Sequence, residues 1–203
     1  MANLADFAND LGANRVTVST YVELLERVFL VHRLPAYSQN LTARLARHSK
    51  TKVHLVDSGL GAALCNLGDD ALRRSPMIGP LMETFVVGEL RKQLGWSETL
   101  AEMFHFRDRD GHEVDVVLEA LDGRVVAFEV KAATSVSQQD TNGLRFLADR
   151  LGSAFVHGYV FVHRQRIAPT RRRPILGCPD CGPVGVGVAT RGTCLVQRVG
   201  LPG

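Results

Sequence analysis

The sequence predicts an α/β (α+β) protein, and three observations carry that prediction. The first fifty residues repeat apolar side chains at helical spacing around a glycine. From Gly59 onward, helical and strand-like runs follow in the order helix, three strands, helix, strand. Two of those strands, in "GHEVDVVLEALDGRVVAFEVKA" from Gly111 to Ala132, alternate apolar and charged residues around a turn, the period-2 pattern of a half-buried hairpin.

The first segment, residues 1–55, opens with "LADFANDLG". It sets Leu4, Phe7, Ala8 and Leu11 at helical spacing and stops at Gly12. "TVSTYVELLERVFLVHRL" then starts at a Thr17 cap and repeats apolar residues at Val18, Tyr21, Val22, Leu25 and Val28. A short helix, a glycine turn and a longer helix make the helix-turn-helix order. Leu34-Pro35 with "AYSQN", and then "KVHLVD", supply the wing of a winged-helix-like segment. Arg33, Arg44, Arg47, Lys50 and Lys52 give it a basic flank. The pattern fits nucleic-acid binding, and equally a small helical subdomain packed on a neighbour.

Residues 56–163 form the second unit. "GPLMETFVVGELRKQL" places Pro80 in the first helical turn, and its wheel gathers Leu81, Met82, Phe85, Val86, Val87, Leu90 and Leu94 on one arc. Glu83 and Glu89 both fall inside that arc, where a carboxylate is costly unless paired. After "MFHFRD" and a turn at "RDG" comes the hairpin. With its turn centred on Asp122, positions summing to 244 face one another, so Asp115 opposes Glu129 and Glu113 opposes Lys131. One face reads Val114, Val116, Leu118, Val126, Phe128 and Val130; the other carries Glu113, Asp115, Val117, Ala127, Glu129 and Lys131. Opposed carboxylates about 5 Å apart at Cβ are on the scale to share a divalent cation; as the plainer alternative, they are solvent-facing charge. "QQDTNGLRFLADRLG" follows as a helix with Leu144, Leu147 and Leu151 on one side, before the apolar strand "AFVHGYVFV".

Composition narrows the function classes. With 45% apolar and 22% charged residues, the chain has an ordinary soluble composition. No run approaches the roughly 20 apolar residues of a membrane span. The start lacks a basic region followed by an apolar stretch, so a cytoplasmic location is expected. One cysteine in the body and three near the end make no disulfide framework.

Asp115 followed by Glu129-Val130-Lys131 on the next strand, with a glutamate in the preceding helix, resembles the PD-(D/E)XK nuclease-like superfamily. More narrowly, "DSGLGAAL", "GPLMETFVVGEL", "HFRDRDGHEVDVVLE" and "AFEVKAATSVSQQDTNGLRFL" are similar to the C-terminal domain, of unknown function, of bacterial and archaeal AAA-type ATPases. The resemblance covers about residues 3–163. It implies a restriction-endonuclease-like αβββαβ domain in which Asp115 and Glu129 hold Mg²⁺, Lys131 assists the attacking water and Glu83 helps from the helix, with Glu89 the lesser candidate. The activity implied is Mg²⁺-dependent cleavage of DNA or RNA, or nucleic-acid binding. The alternatives are a non-catalytic DNA- or protein-binding module and a gene remnant without function. Members of the family carry a phosphate-binding loop in an upstream domain. No G-x-x-x-x-G-K-[ST] occurs in this chain, so no ATPase activity is expected of it.

The tail, residues 164–203, has a different character. From Arg166 on, six arginines against Asp180 give +5, so the rest of the chain holds −2 of the net +3. "CPDCG" looks like a zinc knuckle, but only Cys194 follows Cys178 and Cys181 where a structural zinc wants four ligands. Back-translated and read from the second base of Leu176, "LGCPDCGPV" gives W-A-A-P-I-A-A-L-W, which resembles the family's usual ending. The reading frame is therefore expected to slip near His163, leaving a tail without regular structure.

Overall fold

The computed structural model describes residues 4–38, 51–133, 135–163 and 194–199. The zinc-knuckle cysteines Cys178 and Cys181 lie outside them, as do Arg44, Arg47 and Lys50. Among the described residues no helix is long and apolar enough to cross a membrane.

Helices α1 (Leu4–Asp10) and α2 (Arg15–Arg27) join through Gly12, whose φ of 57° costs a glycine little. The cap of α2 is Asn14, not Thr17: its Oδ1 accepts the Val16 N–H at 2.8 Å. Only Val18 and Val22 of the expected stripe are buried, against Ala8 and Val31; Tyr21, Leu25 and Val28 face outward. The helix ends at Arg27, and Phe29 turns the chain at φ 59°.

Strands β1 (Val31–Leu34) and β2 (Lys52–Leu55) form an antiparallel pair with His32 opposite His54 and Leu34 opposite Lys52. Beyond β1, the Tyr37 N–H donates to the His105 carbonyl and the His105 N–H to the Pro35 carbonyl. These bonds lay the segment along the edge of the main sheet. Helix α3 (Ser58–Leu64) is capped by Asp57, which accepts from the Leu60 N–H at 2.6 Å, and α4 (Asp69–Arg74) follows.

The expected helix, three strands, helix, strand order is present. It comprises α5 (Ile78–Leu94), β3 (Ala101–Arg107), β4 (Glu113–Ala120), β5 (Val125–Lys131), α6 (Asn142–Leu151) and β6 (Phe155–His163). The first three strands are antiparallel, and β6 returns parallel to β5 after α6, as a helical crossover permits. Strand β7 (Cys194–Val199) pairs antiparallel with β6, giving the order β3-β4-β5-β6-β7. This strand is the part of the tail that lies among the described residues, and it is regular where no regular structure was expected. An open β6 edge is a row of unpaired N–H and C=O groups that an added strand can satisfy.

A core lies on each side of the sheet. Leu144, Leu147 and Leu151 of α6 pack on Val114, Val117, Val125, Ala127 and Val160. Val86, Val87 and Leu90 of α5 pack on Val116, Leu118, Val126, Phe128 and Phe161, together with Leu34 of β1. Helix α6 comes so near β4 that a Cβ on Gly143 would strike the Glu113 carbonyl. Gly143→Ala is therefore expected to lower stability by roughly 1–3 kcal/mol through overpacking. Urea denaturation measures this, and an unchanged midpoint would show that α6 is not seated there.

Candidate functional site

The site grows from an irregularity in β4. In the β3–β4 ladder Phe104 pairs with Val117 and Phe106 with Val114, so two steps along β3 match three along β4. The extra residue is a bulge at Asp115–Val116. It moves Val114 onto the α6 side beside Val117, whereas the sequence had placed it with Val116 and Leu118.

The β4–β5 ladder keeps the expected register, from Glu119↔Val125 to Val116↔Phe128. Past it, the Asp115 side chain takes over from the backbone, its Oδ2 accepting the Val130 N–H at 2.9 Å. Its Oδ1 lies 3.3 Å from the Nζ of Lys52, and that ammonium is the centre of the site. Lys52 is only 5% exposed. Its Nζ also lies 2.8 Å from Glu113 and 3.0 Å from Glu83. An ammonium has three N–H donors and no other way to satisfy them when buried; here each finds a carboxylate. Burial disfavours the charge of Lys52, but Asp115, Glu83 and Glu113 outweigh it and push the pKa above the usual lysine value.

The other predicted residues sit beside this centre. Lys131 Nζ contacts Glu129 Oε1 at 2.7 Å, while Glu129 Oε2 is buried without a hydrogen-bond partner. Burial first, and the Asp115 carboxylate second, raise Glu129 to about 8 and Glu83 to about 7. Four carboxylates against two lysines would leave two negative charges in a largely buried site, and retained protons relieve that excess. Glu89 belongs to the surface instead, paired with Lys92 at 2.7 Å. Glu113 pairs with Lys52, and with Arg107 at 3.8 Å, rather than with Lys131.

Beyond Lys52 the same strand buries His54, stacked on His32 with ring centroids 5.6 Å apart. Burial lowers both, His32 to about 4 and His54 to about 3, with charge from Arg91 acting on His32 and from His32, Lys52 and His105 acting on His54. In its 3.9 Å approach to Glu83, His54 is thus the uncharged partner at pH 7.

Sequence reasoning counted Lys52 in a basic surface flank and passed over His54. The signal that misled was alternation in "KVHL": hydrophobicity assigns Val53 and Leu55 to the core, but the polar pair faces the sheet. Val53 and Leu55 pack on the small α1–α2 core.

The implied Mg²⁺ does not fit these side chains as they stand. Glu83, Glu113 and Asp115 converge on Lys52, the second Asp115 oxygen accepts a backbone N–H, and Glu129 Oε1 is held by Lys131. Glu129 Oε2 is the buried carboxylate oxygen left without a partner, where Mg²⁺ wants an octahedron of oxygens. Among the described residues no group of three His, Cys, Asp or Glu is arranged to hold a metal.

Comparison with known proteins gives two family matches. Residues 78–181 match a family described as a domain of unknown function (DUF4143), and residues 1–71 match a second domain of unknown function (DUF8612). No curated protein and no solved structure matches the chain.

The raised Glu129 pKa has a measurable sign. The folded chain keeps this proton up to about pH 8 and the unfolded chain releases it near 4.5. The stability it contributes is present below pH 4.5 and lost as pH rises through 8. Glu129→Gln cannot ionise, so its stability relative to wild type should climb across that window in urea denaturation. A difference that stays flat with pH would show that Glu129 ionises as freely in the folded chain as in the unfolded one.

Proposed function

The chain belongs to the first of these families, the domain of unknown function DUF4143, and we propose that it works as a non-catalytic protein-docking module. The observation that carries this reading is the apolar surface of its N-terminal segment. Tyr21, Leu24 and Leu25 of α2 and Val28 at its C-cap are exposed, and Phe29 is 83% exposed although it is held at a positive φ. That backbone region is costly for a bulky residue. Leu30 accepts the Val56 N–H, bringing Val56 alongside, with Leu60 and Leu64 one turn apart on α3. The run Leu24, Leu25, Val28, Phe29 and Leu30 is an exposed apolar stretch of the kind that marks an interaction surface.

Charge on the same helix argues for a protein rather than a nucleic acid. Arg27 is paired with Glu23 at 2.7 Å and Arg33 with Glu26 at 3.0 Å. Lys52, expected on the basic flank, is buried. A surface that binds phosphates needs free cations, and among the described residues the patch presents aliphatic and aromatic carbon instead.

The PD-(D/E)XK kinship is supported by the order of elements and by Asp115, Glu129 and Lys131 lying together. Phosphodiester cleavage is the other function that kinship implies. It needs Asp115 and Glu129 on one Mg²⁺, and the ion pairs of Lys52 and Lys131 engage both.

Two measurements test the reading. With Mg²⁺ or Mn²⁺, the full chain is expected to leave single- and double-stranded DNA and RNA uncut; cleavage lost in Asp115→Ala would overturn it. Val28→Glu with Phe29→Ser should abolish binding of a hydrophobic-surface dye and any self-association seen by sedimentation, while the melting temperature stays close to wild type. Unchanged dye binding would show that the patch is not the docking surface.

A further inference from the structure

Three carboxylate oxygens from two elements converge on one atom. Glu83 reaches it from α5, and Glu113 and Asp115 reach it from β4, at 3.0, 2.8 and 3.3 Å. A positive point inside a shell of acidic oxygens is how proteins hold a divalent cation, with oxygens at about 2.0–2.6 Å. Here the spacing is that of charge-assisted hydrogen bonds, and the central atom is the Nζ of Lys52.

We propose that Lys52 is a resident cation, its ammonium standing in the place and doing the electrostatic work of a metal ion, so that the acid centre is complete without one. The lysine reaches the centre from β2, outside the helix and hairpin that supply the acids. One backbone bond ladder, with Leu34 opposite Lys52, holds it there.

The surroundings bear the assignment out in three ways. A buried ammonium is several kcal/mol out of favour unless its partners are numerous and well placed; three carboxylates meet that condition. The remaining acid, Glu129, is 6% exposed and keeps Oε2 unpartnered beside the cluster. Its Oε2 finds no partner because the three Lys52 donors are spent on the other three acids. Finally, a divalent ion entering the shell would meet the Lys52 charge at hydrogen-bond distance, so metal and lysine exclude one another.

This assignment is independent of the docking surface, none of whose residues pairs with Lys52, and its test reads metal binding rather than association. The full chain and Lys52→Met are melted in EDTA, in Mg²⁺ and in Mn²⁺, with Mn²⁺ binding followed by electron paramagnetic resonance. Wild type is expected to melt at one temperature in all three and to leave Mn²⁺ free. Lys52→Met should melt lower in EDTA, bind Mn²⁺ saturably and recover much of the loss, and adding Asp115→Asn should remove both effects. Asp115-dependent Mn²⁺ binding by wild type would overturn the assignment, as would a Lys52→Met protein that melts like wild type or is not rescued by either ion. If Lys52→Met does not fold with or without the ions, wild type decides by nitrogen NMR of its lysine ammonium groups. A signal slow to exchange with water and indifferent to Mn²⁺ supports the assignment; its absence, or its loss on adding Mn²⁺, refutes it.

Discussion

A charge taken out of water must be answered inside the protein, and in this chain most of the architecture around the site follows from one such charge. Lys52 is buried at the start of β2 with three carboxylates around it. Breaking a buried group of this kind by removing one partner typically costs about 3–5 kcal/mol, because the others are left uncompensated. The ammonium therefore fixes the relative position of the α5 helix, the β4 strand and the N-terminal β1–β2 pair, three elements that apolar packing alone would hold less specifically.

The sheet makes room for that group by two local departures from regularity. The bulge in β4 lets Val114 and Val117 face the same core while Asp115 turns toward Lys52. The strands β4 and β5 then stop exchanging backbone bonds, and the Asp115 carboxylate caps the Val130 N–H that the ladder no longer serves. Both departures leave a polar side chain with a partner. On the far side, the absence of a Cβ at Gly143 lets α6 press against the Glu113 carbonyl, so the same short piece of β4 is clamped from both faces.

What the sequence made legible was whatever depended on a period. The register about Asp122 is the one observed, because a tight turn and alternation fix it together. The three leucines of α6 are buried as their spacing required. Glu83 and Glu89 were both drawn to the apolar arc of α5. Six residues on a helix put them well apart around the axis, and the surface partner Lys92, three residues on, was available only to Glu89. What escaped was set by tertiary partners. A bulge has no compositional mark, so Val114 was assigned to the wrong face. The cap fell to Asn14 because its side chain lies two residues before a free N–H, whereas Thr17 is already inside the helix. Lys52 and His54 looked like surface residues, since nothing within β2 tells which side of the strand meets the sheet.

That ambiguity of β2 is also the key to how the N-terminal segment is built. One face of the strand carries Lys52 and His54 into the acid centre, and the other carries Val53 and Leu55 onto the core formed by Ala8, Val18, Val22 and Val31. The strand is thus held by ionic partners on one side and by apolar contact on the other. Helix α2 packs on it through Val18 and Val22 alone, which leaves Tyr21, Leu24, Leu25 and Val28 outward. A 13-residue helix with only two fully buried side chains draws little stability from its own packing. Its apolar outer face would be a liability if it served nothing but the fold. The inner face anchors the segment through Val18 and Val22, while Tyr21, Leu24 and Leu25 add no buried surface to it among the described residues.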